Sequence, residues 1–203
     1  MRSLLPPPDF SSADLRTQII PTGSIYGRIF VSRYRDPTGV GKTSSRFSDP
    51  RKIPDEQRFA VLYLGEAVKV CFLEALLRDQ KNGIFSEFPI GEQELHNRTY
   101  AELRVDQPLT LVDLSGDGGI VMGVPSDVAR AAPHDLGQAW ALAFHEHPSS
   151  VDGIMYPSRL NGQTNIAVFD RAIPKISAVA TMPLIQVPGL AETLNDLRIS
   201  LIA

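Results

Sequence analysis

The sequence predicts an α+β fold, a mixed α/β domain, because strand-like and helix-like runs interleave along one chain. Three stretches carry that expectation. Phe59 to Asp79 reads as a short buried strand, a one-glycine turn at Gly65 and a helix that is apolar almost all round. Ser24 to Tyr34 alternates with the period of a strand. Gly189 to Leu201 has the spacing of an amphipathic closing helix.

The chain has 203 residues, enough for one domain with a real core. It divides into an N-terminal arm, residues 1–23, and a domain over 24–203. Hydrophobic residues make up 43% and charged residues 21%, the balance of a water-soluble globular chain. A net charge of −3 argues against direct nucleic-acid binding. Cys71 is the single cysteine, so no disulfide can form within the chain. The start, MRSLLPPPDF, lacks an apolar signal region, and no later run approaches the length of a membrane span. The expected compartment is the cytoplasm, with no membrane partner.

In chain order, Leu5 to Phe10 is broken by prolines, and SSADLRTQI offers a short helix capped by Ser11 or Ser12. The strand from Ser24 puts Ile25, Gly27, Ile29 and Val31 on one side and Tyr26, Arg28, Phe30 and Ser32 on the other. Arg35 to Arg58 is a long loop. After the central strand and helix come a turn at Asn82-Gly83, strands at Tyr100 to Val105 and Leu109 to Leu114, and the turn SGDGG. Ser126 is placed to cap a short helix, and Asp135 a longer one reaching Glu146. Val151 to Arg171 then gives a strand from Gly153 to Tyr156, a turn through Pro157, Ser158 and Arg159, an Asn161-Gly162 link and a strand from Asn165 to Phe169. Two strand runs follow between Ile176 and Val187.

Glu74 is the anomaly of the central helix. It shares a stripe with Ala67, Val70, Cys71 and Leu77, so its carboxylate either reaches water at the rim of the packing or lines a polar cavity. Arg28 shares its strand face with two aromatics, where it can stack and point to solvent or hold a ligand. Ser158 lies just past a strand end, a position that suits a turn-forming serine as well as a functional hydroxyl. Two motifs are rejected. DPTGVGKTSS has Asp36 where a phosphate-binding loop needs its first glycine, although Lys42, Arg46 and Arg51 leave general anion binding open. His145-Glu146-His147 lacks the four-residue histidine spacing of a zinc helix and reads as an exposed helix end.

These residues, in this order, resemble the RES-domain family, named for an arginine, a glutamate and a serine. The matching pieces are Arg28 in YGRIF, Arg46-Phe47 in SSRFSD, Tyr63 in VLYL, Glu74 in CFLEALL, and Ser158 in DGIMYPSR followed by NIAVFD. The family pattern Gly-Arg-Trp/Phe-Asn is replaced at the second arginine, where Ser45 precedes and Ser48 follows. The resemblance implies an ADP-ribosyltransferase-like fold with a twisted, split mixed sheet flanked by helices. It also implies the toxin of a bacterial toxin–antitoxin pair that consumes NAD, without a metal, at the nicotinamide–ribose bond. Glu74, Arg28 and Ser158 would then be catalytic, and Arg28, Arg46, Tyr63 and Ser158 would bind NAD.

Water, phosphate or a protein side chain can each serve as acceptor, so an NAD glycohydrolase or phosphorylase and a mono-ADP-ribosyltransferase both fit. A non-catalytic partner-binding protein of the same fold is the third alternative. The implied partner is an antitoxin with a helix-turn-helix (Xre-type) domain that occludes the cleft at Arg28 and Arg46, and a homodimer stays open.

Overall fold

A computed structural model describes residues 4–203. The first regular element is a 3-10 turn at Phe10–Ser12, followed by strand β1 at Thr17–Ile20. The short helix expected over SSADLRTQI is therefore absent. Its Ile19-Ile20 end is β-branched, and the backbone there pairs antiparallel with Leu109–Asp113, strand β6, while Ile20 is buried. Strand β2, Ile25–Val31, pairs along its whole length with Arg98–Val105, strand β5. The loop after β2 holds only a 3-10 turn at Asp55–Gln57 before β3, Val61–Gly65.

The central helix is shorter than expected and of two kinds: α1 at Val68–Phe72, then a π turn at Leu73–Leu77 that contains Glu74. Gly65 is the last residue of β3 rather than a turn. A Cβ there would lie 2.7 Å from Val70 Cγ1 and 2.9 Å from Cys71 Sγ, so glycine is needed for the helix to sit against the strand. Beyond the Asn82-Gly83 turn, β4 at Phe88–Gly91 and α2 at Glu92–His96 fill a stretch to which the pattern assigned nothing.

Short helices α3, Gly118–Val121, and α4, Asp127–Arg130, follow β6 and lead to α5, Asp135–His145. Ser126 and His134 occupy the positions before α4 and α5, and neither side chain caps its helix; Asp135 is already inside α5. The expected exposed helix end is also corrected. His145 stacks on Phe59 with ring centroids 4.3 Å apart, and His147 is buried. Burial depresses the pKa of His145, and the nearby Arg171 adds to it, so packing works against the charged form that a helix end would favour.

Strands β7, Gly153–Pro157, and β8, Thr164–Phe169, form the expected hairpin. Ile176 to Val187 holds one strand, β9 at Ile176–Pro183, and a 3-10 turn at Leu184–Gln186, since Pro183 ends the ladder. The closing helix α6 stops at Leu190–Asp196. The last residues form β10, Ile199–Ile202, which pairs in parallel with β4. Tertiary pairing wins here over a helical period only about three turns long.

The main sheet has the order β1-β6-β7-β8-β3-β2-β5-β9 and mixes one parallel pair, β6 with β7, among antiparallel ones. Along β3 and β8, Leu62, Leu64, Ile166 and Val168 face one core with Leu103 and Leu111. Val61, Ala167 and Phe169 face the opposite side, against Phe47, Trp140 and Phe144. A third core under α1 and α6 joins Phe72, Leu76, Tyr100, Leu184 and Leu190. The sheet nearly divides in its middle. Strands β2 and β3 share a single pair, Gly27 with Gly65, and diverge beyond it.

At Gly27 a Cβ would stand 2.5 Å from the Tyr100 hydroxyl and 3.0 Å from Cys71 Sγ. Gly27→Ala is expected to cost about 1–3 kcal/mol, the range for overpacking a filled core, measured by urea unfolding; an unchanged midpoint would show that the bridge has slack.

Candidate active site

The divergence of β2 and β3 leaves a cleft of about 340 Å³, floored by Tyr63 and Gly65 of β3 and roofed by the helix that carries Glu74. Alternation along the strands sets its chemistry. Tyr63 and Val61 point to the same face as Asn165 and Ala167 of β8, so Asn165, which precedes the apolar run Ile166–Phe169, faces the cleft.

Glu74 lines the cleft and is half-buried, so the polar-cavity alternative of the sequence is the one realised. The π turn inserts an extra residue into the winding of the helix, a device that recurs at functional sites. The Glu74 Oε1 atom accepts a hydrogen bond from Ser158 Oγ at 2.7 Å and another from Asn165 Nδ2 at 3.1 Å. A lone carboxylate removed from water costs several kcal/mol, whereas each bond to a charged acceptor returns about 1.5–3 kcal/mol. Two donors therefore account for much of its tolerance. Ser158 is 3% exposed, and its oxygen also accepts the Leu160 N–H at 3.2 Å. Its one proton is thus committed to Glu74.

Arg46 is positioned by a loop that other residues hold rigid. The Tyr63 hydroxyl accepts the Phe47 N–H at 2.8 Å and meets Ser45 Oγ at 3.0 Å, so it holds the Phe47 backbone on one side of Arg46 and the Ser45 side chain on the other. Burial pushes the Tyr63 hydroxyl up to about 12 despite the lowering from those two bonds. Ser48 Oγ donates to the Ser45 carbonyl and accepts the Ser45 N–H, closing the turn. Gln138 of α5 donates to the Ser45 carbonyl at 2.9 Å. The two serines that depart from the family pattern thus build the turn that presents Arg46. Asp49 fixes the next part of the loop: burial alone would raise its carboxyl, but bonds from the Arg51 side chain and from the Arg51 and Phe59 amides hold it low.

The Arg46 guanidinium donates to the Ala131 carbonyl at 2.6 Å. Burial lowers its pKa, and its electrostatic neighbours include Tyr156, Arg159, Glu74 and Tyr63. Arg28 stands apart. It extends from the strand face of Tyr26 and Phe30, with Cζ 5.5 Å from the Phe30 ring centroid and NH1 donating to the Pro37 carbonyl at 2.5 Å. It borders the cleft from the β2 side.

The structure therefore joins Glu74 to Ser158 directly and Tyr63 to Arg46 through the backbone, and sets Arg28 across the split. Sequence reasoning missed four other lining residues: Asn165, Arg78, Arg159 and His134. Arg159 pairs with Asp79 and Arg78 Nε donates to the Glu74 carbonyl at 2.9 Å. Burial, then Arg46, Arg78 and Arg159, lower the pKa of His134. Four arginines against Glu74 and Asp79 leave a formal surplus of two positive charges (4 − 2) on a chain whose net charge is −3. Such a cleft suits a ligand with two negative charges and a neighbouring centre that becomes positive.

Known proteins resemble this chain in sequence and in fold. The RES domain family model matches residues 23–189. A relative named "Probable toxin y4kH", from Sinorhizobium fredii (strain NBRC 101917 / NGR234), is 41% identical over 127 residues, which is 62% of this chain and 100% of that one. Among solved structures, a chain of the M. tuberculosis MbcT-MbcA toxin-antitoxin complex superposes with a TM-score of 0.62 at 17% identity, covering 89% of this chain and 91% of that one. At that identity the likeness is one of fold, and it agrees with the ADP-ribosyltransferase-like architecture of a split mixed sheet flanked by helices.

Tyr63→Phe keeps the ring but leaves the Phe47 amide unsatisfied. It is expected to lower unfolding free energy by about 1–3 kcal/mol and to loosen the Arg46 loop, seen as faster hydrogen exchange at Phe47. Unaltered exchange at that amide would mean that the loop is held by other contacts.

Proposed function

The chain belongs to the RES-domain family, and on that premise we propose that it is the toxin of a bacterial toxin–antitoxin pair that consumes NAD at the nicotinamide–ribose bond. The observation that carries this reading is a hydrogen-bonded carboxylate, Glu74, facing a cleft with four arginines. The relative named as a toxin and the fold match to a toxin–antitoxin complex support the biological role.

The chemistry follows from where charge develops. As the bond between ribose C1′ and the pyridinium nitrogen breaks, its electron pair goes to nitrogen, nicotinamide leaves neutral and the ribose becomes an oxocarbenium ion. A fixed carboxylate beside C1′ stabilises that cation more than it stabilises the starting ribose, which is the condition for raising kcat. Arg46 and Arg28, on opposite sides of the split, suit the two phosphates of the pyrophosphate. The ring of Tyr63 offers a stacking surface, while its hydroxyl serves the Arg46 loop. Ser158, buried behind Glu74, acts through that carboxylate. Water or phosphate then attacks C1′ and gives up a proton to solvent.

The deciding experiment incubates the pure chain with NAD, with and without phosphate, and follows nicotinamide release and the mass of the second product. Free ADP-ribose or its phosphate adduct is expected. Turnover that appears only when cell extract is added, with one protein gaining mass, would make the chain a transferase; none in either case would leave a binding protein. Glu74→Gln should keep the fold, because a glutamine oxygen still accepts from Ser158 and Asn165, and should slow turnover by at least about 100-fold. Retained activity removes Glu74 from the mechanism.

The proposed partner is a helix-turn-helix antitoxin with a segment in the cleft. Replacing Arg28 and Arg46 together with glutamate should weaken the complex by at least about tenfold in Kd, as read by titration calorimetry. Unchanged affinity would exclude blockade of the cleft.

A further inference from the structure

Both hydrogen bonds to the Glu74 carboxylate end on the same oxygen. Ser158 Oγ and Asn165 Nδ2 converge on Oε1, and Oε2 receives no hydrogen bond among the described residues. The donors arrive from two places: Ser158 from the turn after β7, and Asn165 from β8, where it is registered opposite Gly65. Asn165 is 4% exposed, and on its strand face it is followed by Ala167 and Phe169, so an amide there costs free energy unless it is bonded. A Cβ on Gly65 would stand 3.4 Å from Asn165 Oδ1, an ordinary contact, so that glycine serves the helix packing rather than this amide. Asn165 borders the cleft, whereas Ser158 lies behind it.

We infer that Asn165 is a positioning residue for Glu74: its amide and the Ser158 hydroxyl fix Oε1 against the sheet, and Oε2 is thereby presented to the reacting carbon. The geometry explains why a buried amide precedes the apolar run of β8. Ser158 alone supplies one bond, about which the carboxylate can still turn; the second donor removes that freedom. The role rests on the NAD reading for its kinetic consequence but not for its structural one.

Two variants test it in the nicotinamide-release assay, Asn165→Ala and the isosteric Asn165→Asp, with thermal melts to separate lost fold from lost rate. Asn165→Ala should lower kcat by about 100-fold, the penalty for misplacing a reacting group by about 1 Å, with KM for NAD changed less than about twofold. Asn165→Asp should be slow at neutral pH and recover toward acid pH, where the introduced carboxyl is protonated and can donate to Oε1; wild type should show no such recovery. If the alanine variant does not fold, the aspartate variant carries the test through its pH profile.

A raised KM with unaltered kcat would make Asn165 a direct substrate ligand, and unaltered kinetics would make it packing alone; either overturns the inference. If wild type does not turn over NAD, the NAD reading fails by itself, and crystal structures of wild type and Asn165→Ala decide the positioning. The Glu74 carboxylate should rotate or occupy two conformers in the variant, and an undisturbed carboxylate would overturn the role.

Discussion

The rest of the structure depends on the close approach at Gly27 and Gly65, the single pair by which β2 and β3 hold the main sheet together. Neither position tolerates a side chain, because Tyr100, Val70 and Cys71 already fill the space. With two glycines the helix after β3 packs hard against the crossing point, and the strands separate beyond it. A continuous ladder would have no gap between β2 and β3. The cleft is therefore a product of sheet geometry before any functional side chain is considered, and its walls come from β2, the loop after it, β3, the helix after β3, residues 132–134 and the β7–β8 hairpin.

Within that gap the energetics favour a small number of polar groups held by many bonds. Glu74 is tolerable because Ser158 and Asn165 meet it. Arg46 is held in place because Tyr63, Ser48 and Gln138 fix the turn around it. A Cβ on Gly137 would come within 2.5 Å of the Arg46 carbonyl, so α5 also braces that turn by direct packing. Preorganisation of this kind places fixed dipoles and charges before a ligand arrives, and the reorganisation cost falls on folding rather than on reaction. The long loop between β2 and β3 is thus a structural part of the site, stapled by Asp49 to Arg51 and to the Phe59 amide two residues before β3.

Much of the site was legible because each residue broke a local rule. Glu74 stood out on an apolar helix, Arg28 between aromatics and Ser158 past a strand end. Asn165 broke a rule too, as the one amide on an apolar strand, but strand ends commonly carry asparagine and the signal passed as a boundary. Arg78, Arg159 and His134 lie in polar segments where a charge is unremarkable, so nothing local distinguished them. The two serines flanking Arg46 and Phe47 read as departures from a pattern and proved to be the hydrogen-bonded turn itself.

By itself the sequence determined the mixed α/β class, the central strand and helix, the β7–β8 hairpin, and Glu74, Arg28 and Arg46 as charged candidates for the site. Those features repeat at periods of two or 3.6 residues, or sit at single conspicuous positions, and a local pattern records them. Tertiary structure alone decided that Thr17–Ile20 and Ile199–Ile202 are strands, because each is short and takes its form from a distant partner. It also decided that Glu74 meets Ser158 and Asn165, which lie 84 and 91 residues away. Contacts at that separation depend on how the sheet twists and divides, and side-chain periodicity carries no record of that.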